Sequence, residues 1–224
     1  MVMIMKNKKY YLFEMQPTSL NIISILILFV VVIFTVLLGK FSIIFDNYGI
    51  SLILMLPYLV LHEILHSVAY VIHGADFKNI TYGAHMEKGI LCCLCKQNIT
   101  KKNILISLVY PLIFIGIFTY VIGILTNCGI LIFLSILNIS GCSGDIIMFI
   151  ALSRLENFEF SEYDNPLAFG LYTKEDLSNK KMFGLKYLGT QDELEKKDLK
   201  KVRVSKVSYI YFAIMILVGL LCML

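Results

Sequence analysis

The sequence predicts an all-α membrane protein with about five transmembrane helices, a three-helix core and a small cytoplasmic α+β segment. Three observations support this fold class. First, 58% of the 224 residues are hydrophobic and the mean hydropathy is +0.79, whereas soluble domains are roughly half apolar. Second, several apolar runs are long enough to cross the bilayer core. Third, the charged residues gather between these runs. The runs cover residues 20–38, 49–72, 104–125, 129–152 and 207–224.

The distribution of positive charge predicts the orientation of these helices. Segments 1–19, 73–103 and 153–206 contain all but Lys40 of the 20 Lys and Arg residues. Because cytoplasmic loops carry an excess of Lys and Arg, we predict a multi-pass protein of the cell membrane with a cytoplasmic N-terminus. The lipid bilayer is therefore an expected partner. The net charge of +4 is modest, and we expect no nucleic-acid partner.

The spans and loops divide the chain into four predicted parts. The first run follows a short basic segment and is too long for the core of a signal peptide, so we interpret it as an uncleaved anchor helix. The parts are an N-terminal segment with the anchor at 1–48, a three-helix catalytic core at 49–152 that includes a re-entrant loop at 74–103, a cytoplasmic segment at 153–206, and a C-terminal transmembrane helix at 207–224.

The second run contains the sequence His62-Glu63-Ile64-Leu65-His66, an H-E-x-x-H motif. Residues four apart lie on one face of a helix, so both imidazoles can reach one metal ion while Glu63 flanks it. Zinc is the expected metal and Glu63 the expected general base. Ionisable groups cost about 2.5 kcal/mol or more each inside a membrane, which favours a functional role. The alternative is that these polar residues hold neighbouring helices together.

The fourth run supplies a candidate third ligand, Asp145, in the glycine-broken polar stretch 138–145. In the predicted topology the second and fourth spans run in the same direction. His66 lies six residues before the end of its span and Asp145 seven before the end of its own, so both should lie at nearly the same depth. We therefore predict that His62, His66 and Asp145 hold one Zn²⁺ per chain, with an open position for water.

Two neighbours of Asp145 leave alternatives open. Cys142 lies three residues earlier on the same face and could be the third ligand instead, because thiolate binds zinc well. Asn138 is expected to orient Asp145 or a substrate carbonyl, and we include it among the catalytic candidates as a group that assists the oxyanion. His73 shares the face of His66 but lies about 10.5 Å further along the helix, which excludes it from the same metal.

The loop at 74–103 contains a short β-favouring run at 90–95. This run is too short to span the membrane, so we predict a re-entrant strand or hairpin beside the active site that holds an extended substrate. The alternative is a second metal site, which would be formed by His85, Cys92, Cys93 and Cys95.

The charged segment 153–206 is predicted to contain a strand at 158–162, a turn at 164–166 and a returning strand near 168–172, followed by a helix at 191–204. Its function is regulatory or substrate-recruiting in one interpretation. In the other it is a solvated connector.

The chain resembles the putative zincin peptidase family of small bacterial integral membrane proteins, which are similar to the site-2 protease class of intramembrane zinc metalloproteases. The similarity rests on the H-E-x-x-H motif within a span, the cysteine-bearing loop, Pro111 early in the next span, and the stretch 140–145. It covers about residues 50–170 and implies three core helices. It also implies zinc ligation by the two motif histidines and Asp145. Site-2 proteases usually have glycine after this aspartate, whereas Ile146 follows here.

Motif and resemblance together predict a zinc-dependent intramembrane endopeptidase. It would hydrolyse a peptide bond in or near the membrane, with Glu63 activating a zinc-bound water. The expected substrate is a membrane protein or peptide. The alternative is a non-catalytic metal-binding membrane protein, either a transporter component or an adaptor, that retains the protease fold.

Overall fold

A computed structural model describes residues 8–85, 90–163 and 167–190. The helices are α1 Pro17–Leu37, α2 Tyr48–Ile72, α3 Lys101–Pro111, α4 Phe118–Thr126, α5 Gly129–Gly141 and α6 Ser143–Ser153. The strands are β1 Lys9–Met15, β2 Ile80–His85, β3 Ile90–Cys95, β4 Ile99–Thr100, β5 Phe158–Glu162, β6 Ala168–Thr173 and β7 Leu185–Thr190. A π-helical turn, Leu112–Ile117, joins α3 to α4.

The expectation of an all-α membrane protein is wrong, because the described part of the chain contains two antiparallel sheets beside its helices. One sheet has five strands in the order β4-β5-β6-β1-β7, and β2 with β3 forms a separate hairpin. The hairpin and the strands β5 and β6 lie where short β-favouring runs were predicted. The main difference is β1, which lies in the short basic segment before the predicted anchor helix.

Strand β1 is central in the large sheet, with β6 on one side and β7 on the other. Its side chains Tyr11 and Phe13 are 1% exposed. The ring of Phe13 stacks on Phe169 of β6 at a centroid distance of 6.1 Å. Strand β1 therefore completes a sheet whose other strands come after α2 and α6 in the chain.

The helices support the predicted membrane association. By length and composition, α1, α2 and the continuous helical stretch Lys101–Thr126 could each cross a membrane, and α5 with α6 could form a fourth, bent span. Many of their large apolar side chains are exposed, as expected for a surface that faces lipid. The predicted helices at 191–204 and 207–224 lie outside the described residues, so the described part has three or four of the five expected spans.

The fourth span is broken where the sequence has its polar, glycine-containing stretch. Helix α5 ends at Gly141, α6 begins at Ser143, and the two axes differ by 43°. Asp145 consequently lies in the first turn of α6. The backbone N–H groups of a first helical turn lack intrahelical partners and favour a negative charge, so the break is a suitable place for a carboxylate.

Close backbone packing fixes α5 beside the connection between α1 and α2. A Cβ atom added at Gly129 would lie 2.0 Å from the carbonyl oxygen of Ile43, so only glycine fits there. At Gly141, by contrast, an added Cβ would have no heavy atom within 4 Å.

We predict that Gly129→Ala lowers the thermal unfolding temperature of the detergent-solubilised protein, because the backbone at Ile43 must move to admit the methyl group. Gly141→Ala is the matched control and should leave stability unchanged or slightly raised, since alanine favours helix by about 1 kcal/mol. Equal stability of the two variants would contradict the packing described here.

Candidate metal centre

Helix α2 and the first turn of α6 bring three metal-binding side chains together. The Nε2 atoms of His62 and His66 are 3.2 Å apart. The Asp145 carboxylate faces both, with Oδ2 at 3.4 Å from His62 Nε2 and Oδ1 at 3.6 Å from His66 Nε2. These side chains are 10% to 18% exposed. Among the described residues, they form the group with metal-binding geometry.

The other ring nitrogen of each histidine is held by an oxygen atom. His62 Nδ1 donates to Asn138 Oδ1 at 2.8 Å, and His66 Nδ1 donates to the carbonyl oxygen of Ser107 at 3.0 Å. Asn138 Nδ2 in turn donates to the Pro111 carbonyl at 3.2 Å, which fixes the orientation of the amide. Because these oxygens can only accept, both Nδ1 atoms carry a proton, and each ring in its neutral form presents a lone pair at Nε2.

The Nε2 atoms of His62 and His66 and the Asp145 carboxylate, called here the donor set, fit a zinc ion. When both rings are neutral, two Nε2 lone pairs and a carboxylate face one another, an arrangement that a bound cation stabilises. Zinc–nitrogen and zinc–oxygen distances near 2.1 Å in a tetrahedral site place neighbouring ligand atoms about 3.3 to 3.4 Å apart. The observed separations of 3.2, 3.4 and 3.6 Å bracket that spacing. Two imidazoles and one carboxylate would leave a fourth position open.

Glu63 follows the first ligand on α2 and is half-buried. Its carboxylate faces the backbone N–H of Cys93 on β3 and lies near His62, His66 and Asp145. The residue predicted as a general base is therefore next to the donor set, on the side of α2 that faces the hairpin.

Besides the histidines, α2 has a second row of polar side chains, which faces the β2–β3 hairpin. Glu63, Ser67 and Tyr70 are spaced i, i+4 and i+7, so they lie on one face of the helix. Ser67 Oγ donates to the carbonyl of Ile64 at 2.7 Å and accepts from the hydroxyl of Tyr82 on β2 at 2.6 Å. This row of side chains thus fixes β2 as well as β3 beside the donor set.

Glu162, the last residue of β5, connects the large sheet to the hairpin and to α2. Its Oε2 accepts from the Cys95 N–H at 2.7 Å and its Oε1 from the Tyr70 hydroxyl at 3.3 Å. Burial raises the pKa of Glu162 to about 8, which outweighs these two hydrogen bonds, and the nearby negative charge of Glu63 raises it further.

The structure places the remaining candidate residues as follows. Both ends of the Asn138 amide are engaged, the oxygen by His62 and the nitrogen by the Pro111 carbonyl. Cys142 is fully buried, with its Sγ 3.8 Å from Asn138 Nδ2, and it lies against His62 without joining the ligand group. His73 caps the end of α2, where its carbonyl accepts from Asn103.

The alternative second metal site gains no support within the described residues. Cys93 and Cys95 are buried in the hydrophobic core, and no group of three ligands that includes a thiol has metal-binding geometry in that part of the chain. The side chain of His85 lies outside the described residues.

Sequence reasoning missed several residues that support the site. Pro111 could have been found from the sequence, because a proline in a helix deprives a carbonyl four residues earlier of its hydrogen-bond partner. Ser67 and Tyr70 could have been found from their i+4 and i+7 spacing to Glu63. No sequence pattern indicated Glu162, since its partners lie in distant segments. The missed residues are Ser67, Tyr70, Ser107, Pro111 as a supporting residue, and Glu162.

Fold and site together define a protein with helices long and apolar enough to cross a membrane and a histidine–histidine–aspartate group that could bind a metal ion. The family described as "Putative zincin peptidase" matches residues 55–157, a stretch that contains all three ligands and Glu63 and is slightly less than half of the chain. The match supports a zincin-like family and a metallopeptidase activity. No curated protein and no solved structure matches the chain.

We predict that Glu162→Gln flattens the pH dependence of stability. In the unfolded chain Glu162 loses its proton near its ordinary pKa of 4.5, whereas the folded protein retains it until about pH 8. Stability therefore falls as pH rises through this window in the wild type, and glutamine abolishes that contribution. Thermal unfolding from about pH 5 to about pH 9 measures the slope.

Glu159→Gln is the matched control for the loss of a carboxylate from β5, because Glu159 pairs with Lys8 instead of facing the hairpin. An unchanged slope in Glu162→Gln would contradict a buried, protonated Glu162.

Proposed function

We propose that this protein is a zinc-dependent endopeptidase that hydrolyses a peptide bond in or near the membrane. One observation carries the proposal: two imidazole nitrogens and a carboxylate converge beside Glu63 within helices long and apolar enough to span a bilayer. The family match to peptidases supports the reaction class.

His62, His66 and Asp145 would hold the metal. Zinc, when bound, supplies a Lewis acid that polarises the scissile carbonyl and makes water more acidic. Asn138 and Ser107 keep the two rings in the tautomer and orientation that leave Nε2 available. The open fourth position would face the substrate and the attacking water.

Glu63 would act as general base and then as general acid. Its carboxylate takes a proton from the attacking water as the C–O bond forms, and gives that proton to the amine as the C–N bond breaks. One water is consumed for each peptide bond, and the products carry a new carboxyl group and a new amino group. The backbone N–H of Cys93 faces this carboxylate and would favour its ionised form between the two transfers.

The position of the donor set along α2 supports cleavage near one membrane surface. His66 lies six residues before the end of α2 at Ile72, about 9 Å along the helix axis. That end leads into the hairpin and then into β4 of the large sheet. With the orientation predicted from Lys and Arg, this surface is the cytoplasmic one.

The hairpin is the proposed guide for an extended substrate. The backbone N–H groups of Cys93 and Cys95 point away from β2, toward α2 and β5. Successive residues of a strand alternate between facing the partner strand and facing away from it. The hydrogen-bonded pairs with β2 are therefore formed by the intervening residues, including Leu94 with Thr81. Strand β3 therefore passes Glu63 in a fixed register. A membrane protein or peptide laid along the hairpin would present its backbone to the same carboxylate.

We expect Glu63→Gln to retain zinc and to lose at least about 100-fold in cleavage rate, because the general base is removed while the ligands remain. His62→Ala, His66→Ala and Asp145→Ala should each release zinc. Metal analysis of purified protein and cleavage of a membrane-peptide library measure the two properties. A wild-type protein that binds zinc but cleaves nothing would favour a non-catalytic metal-binding protein.

Cys142→Ser is the matched control for the ligand assignment and should retain zinc. Loss of zinc in that variant, with retention in Asp145→Ala, would make the thiolate the third ligand.

The hairpin proposal predicts that Leu94→Pro impairs cleavage without releasing zinc, because proline removes a ladder hydrogen bond to β2. Leu94→Ala keeps the N–H and is the control. Alanine at Cys92, Cys93 and Cys95 together should leave one zinc per chain, since these side chains are not proposed ligands. Two zinc ions falling to one in that triple variant would indicate a metal site in the hairpin instead.

A further inference from the structure

Helix α3 ends at Pro111, next to the donor set, and proline has no backbone N–H. In a regular helix the N–H of residue 111 would bond to the carbonyl of Ser107, four residues earlier. That partner does not exist here. The next N–H, of Leu112, bonds to the carbonyl of Val109. The Ser107 carbonyl accepts the Nδ1 proton of His66 at 3.0 Å instead.

The carbonyl of Pro111 reaches the other histidine through an amide. It accepts from Asn138 Nδ2 at 3.2 Å, and the oxygen of the same amide accepts from His62 Nδ1 at 2.8 Å. An asparagine amide that lacked this contact could rotate and present its NH₂ group to the ring, which would exchange the tautomer of His62.

The backbone after Pro111 is shaped for this contact. The π-helical turn Leu112–Ile117 departs from the regular helical hydrogen-bond pattern directly after the proline. Within it, Gly116 allows α5 to approach: an added Cβ would lie 3.3 Å from Asn138 Nδ2 and 3.0 Å from a side-chain carbon of Ile139.

We propose that Pro111 is a positioning residue of the metal centre, which uses its missing N–H and its own carbonyl to hold His66 and His62 in the tautomer that presents Nε2 to the metal. The inference depends on the metal centre and is independent of whether the protein cleaves peptides. It assigns a function in metal binding to a residue that contacts neither metal nor substrate.

The test is zinc affinity of Pro111→Ala, measured by competition with a chromophoric chelator on metal-free protein. The alanine N–H can bond to the Ser107 carbonyl and so compete with His66. We expect zinc binding to weaken about 10- to 100-fold, the usual effect of losing a group that orients a metal ligand. The lactic-acid residue at position 111, introduced by amber suppression in cell-free translation, has the alanine side chain but an ester oxygen in place of the N–H. It should restore much of the affinity.

Pro57→Ala is the control for the general loss of a helix proline, since Pro57 is exposed and lies inside α2. It should weaken zinc binding much less than Pro111→Ala. Wild-type affinity in Pro111→Ala would overturn the proposal. A lactic-acid variant as weak as the alanine variant would also overturn it, because the ring and not the missing N–H would then be responsible.

A direct spectroscopic measurement covers the case in which the variants fail to fold. In metal-free wild-type protein with ¹⁵N-labelled histidine, His62 and His66 should both have the proton on Nδ1. Protonation of His66 at Nε2 in the neutral ring would refute the proposal. A wild type that binds no zinc would refute the proposed function while leaving this tautomer test intact.

Discussion

Two hydrogen bonds determine the character of this site: His62 Nδ1–H to Asn138 and His66 Nδ1–H to the Ser107 carbonyl. Each places a proton on Nδ1 of one ring, and together they turn both Nε2 atoms toward Asp145 in a largely buried environment. The bonds join α2 to α5 and α3, while the carboxylate belongs to α6. The donor set exists only when these four helices are packed in register, so assembly of the helices and assembly of the site are the same event.

Two irregular points in the helices provide backbone hydrogen-bonding groups for the site. A backbone carbonyl without a partner costs about 1 to 3 kcal/mol when buried, and more in hydrocarbon, so a membrane helix cannot leave one unsatisfied. Here Pro111 creates such a carbonyl at Ser107 and a histidine satisfies it. The break between α5 and α6 likewise leaves N–H groups at the turn that contains Asp145. Two apparent defects in helical segments therefore become binding elements of the site.

The sequence predicted the parts of the site that depend on local periodicity. The spacing of His62 and His66 determines their common face, and the depth argument depends on helical rise alone, so it could pair them with Asp145. Strand β3 was predicted at its observed bounds, because a short β-favouring run has few other conformations at that position. Strand β1 was missed because its partners β6 and β7 lie at the other end of the chain, where no local pattern links them. The contacts of Asn138 depend on how helices rotate against one another, which spacing does not determine.

The large sheet is connected to α2 by the carboxylate of Glu162 as well as by the shared hydrophobic core that contains Tyr70. Glu162 joins β5 to the hairpin and to Tyr70, one turn beyond His66, and its partners are a backbone N–H and a hydroxyl without positive charge. A buried carboxyl group in such surroundings favours the protonated form, because burial and the nearby charge of Glu63 outweigh its two hydrogen bonds. A chain of contacts therefore runs from the sheet through Glu162 and β3 to Glu63.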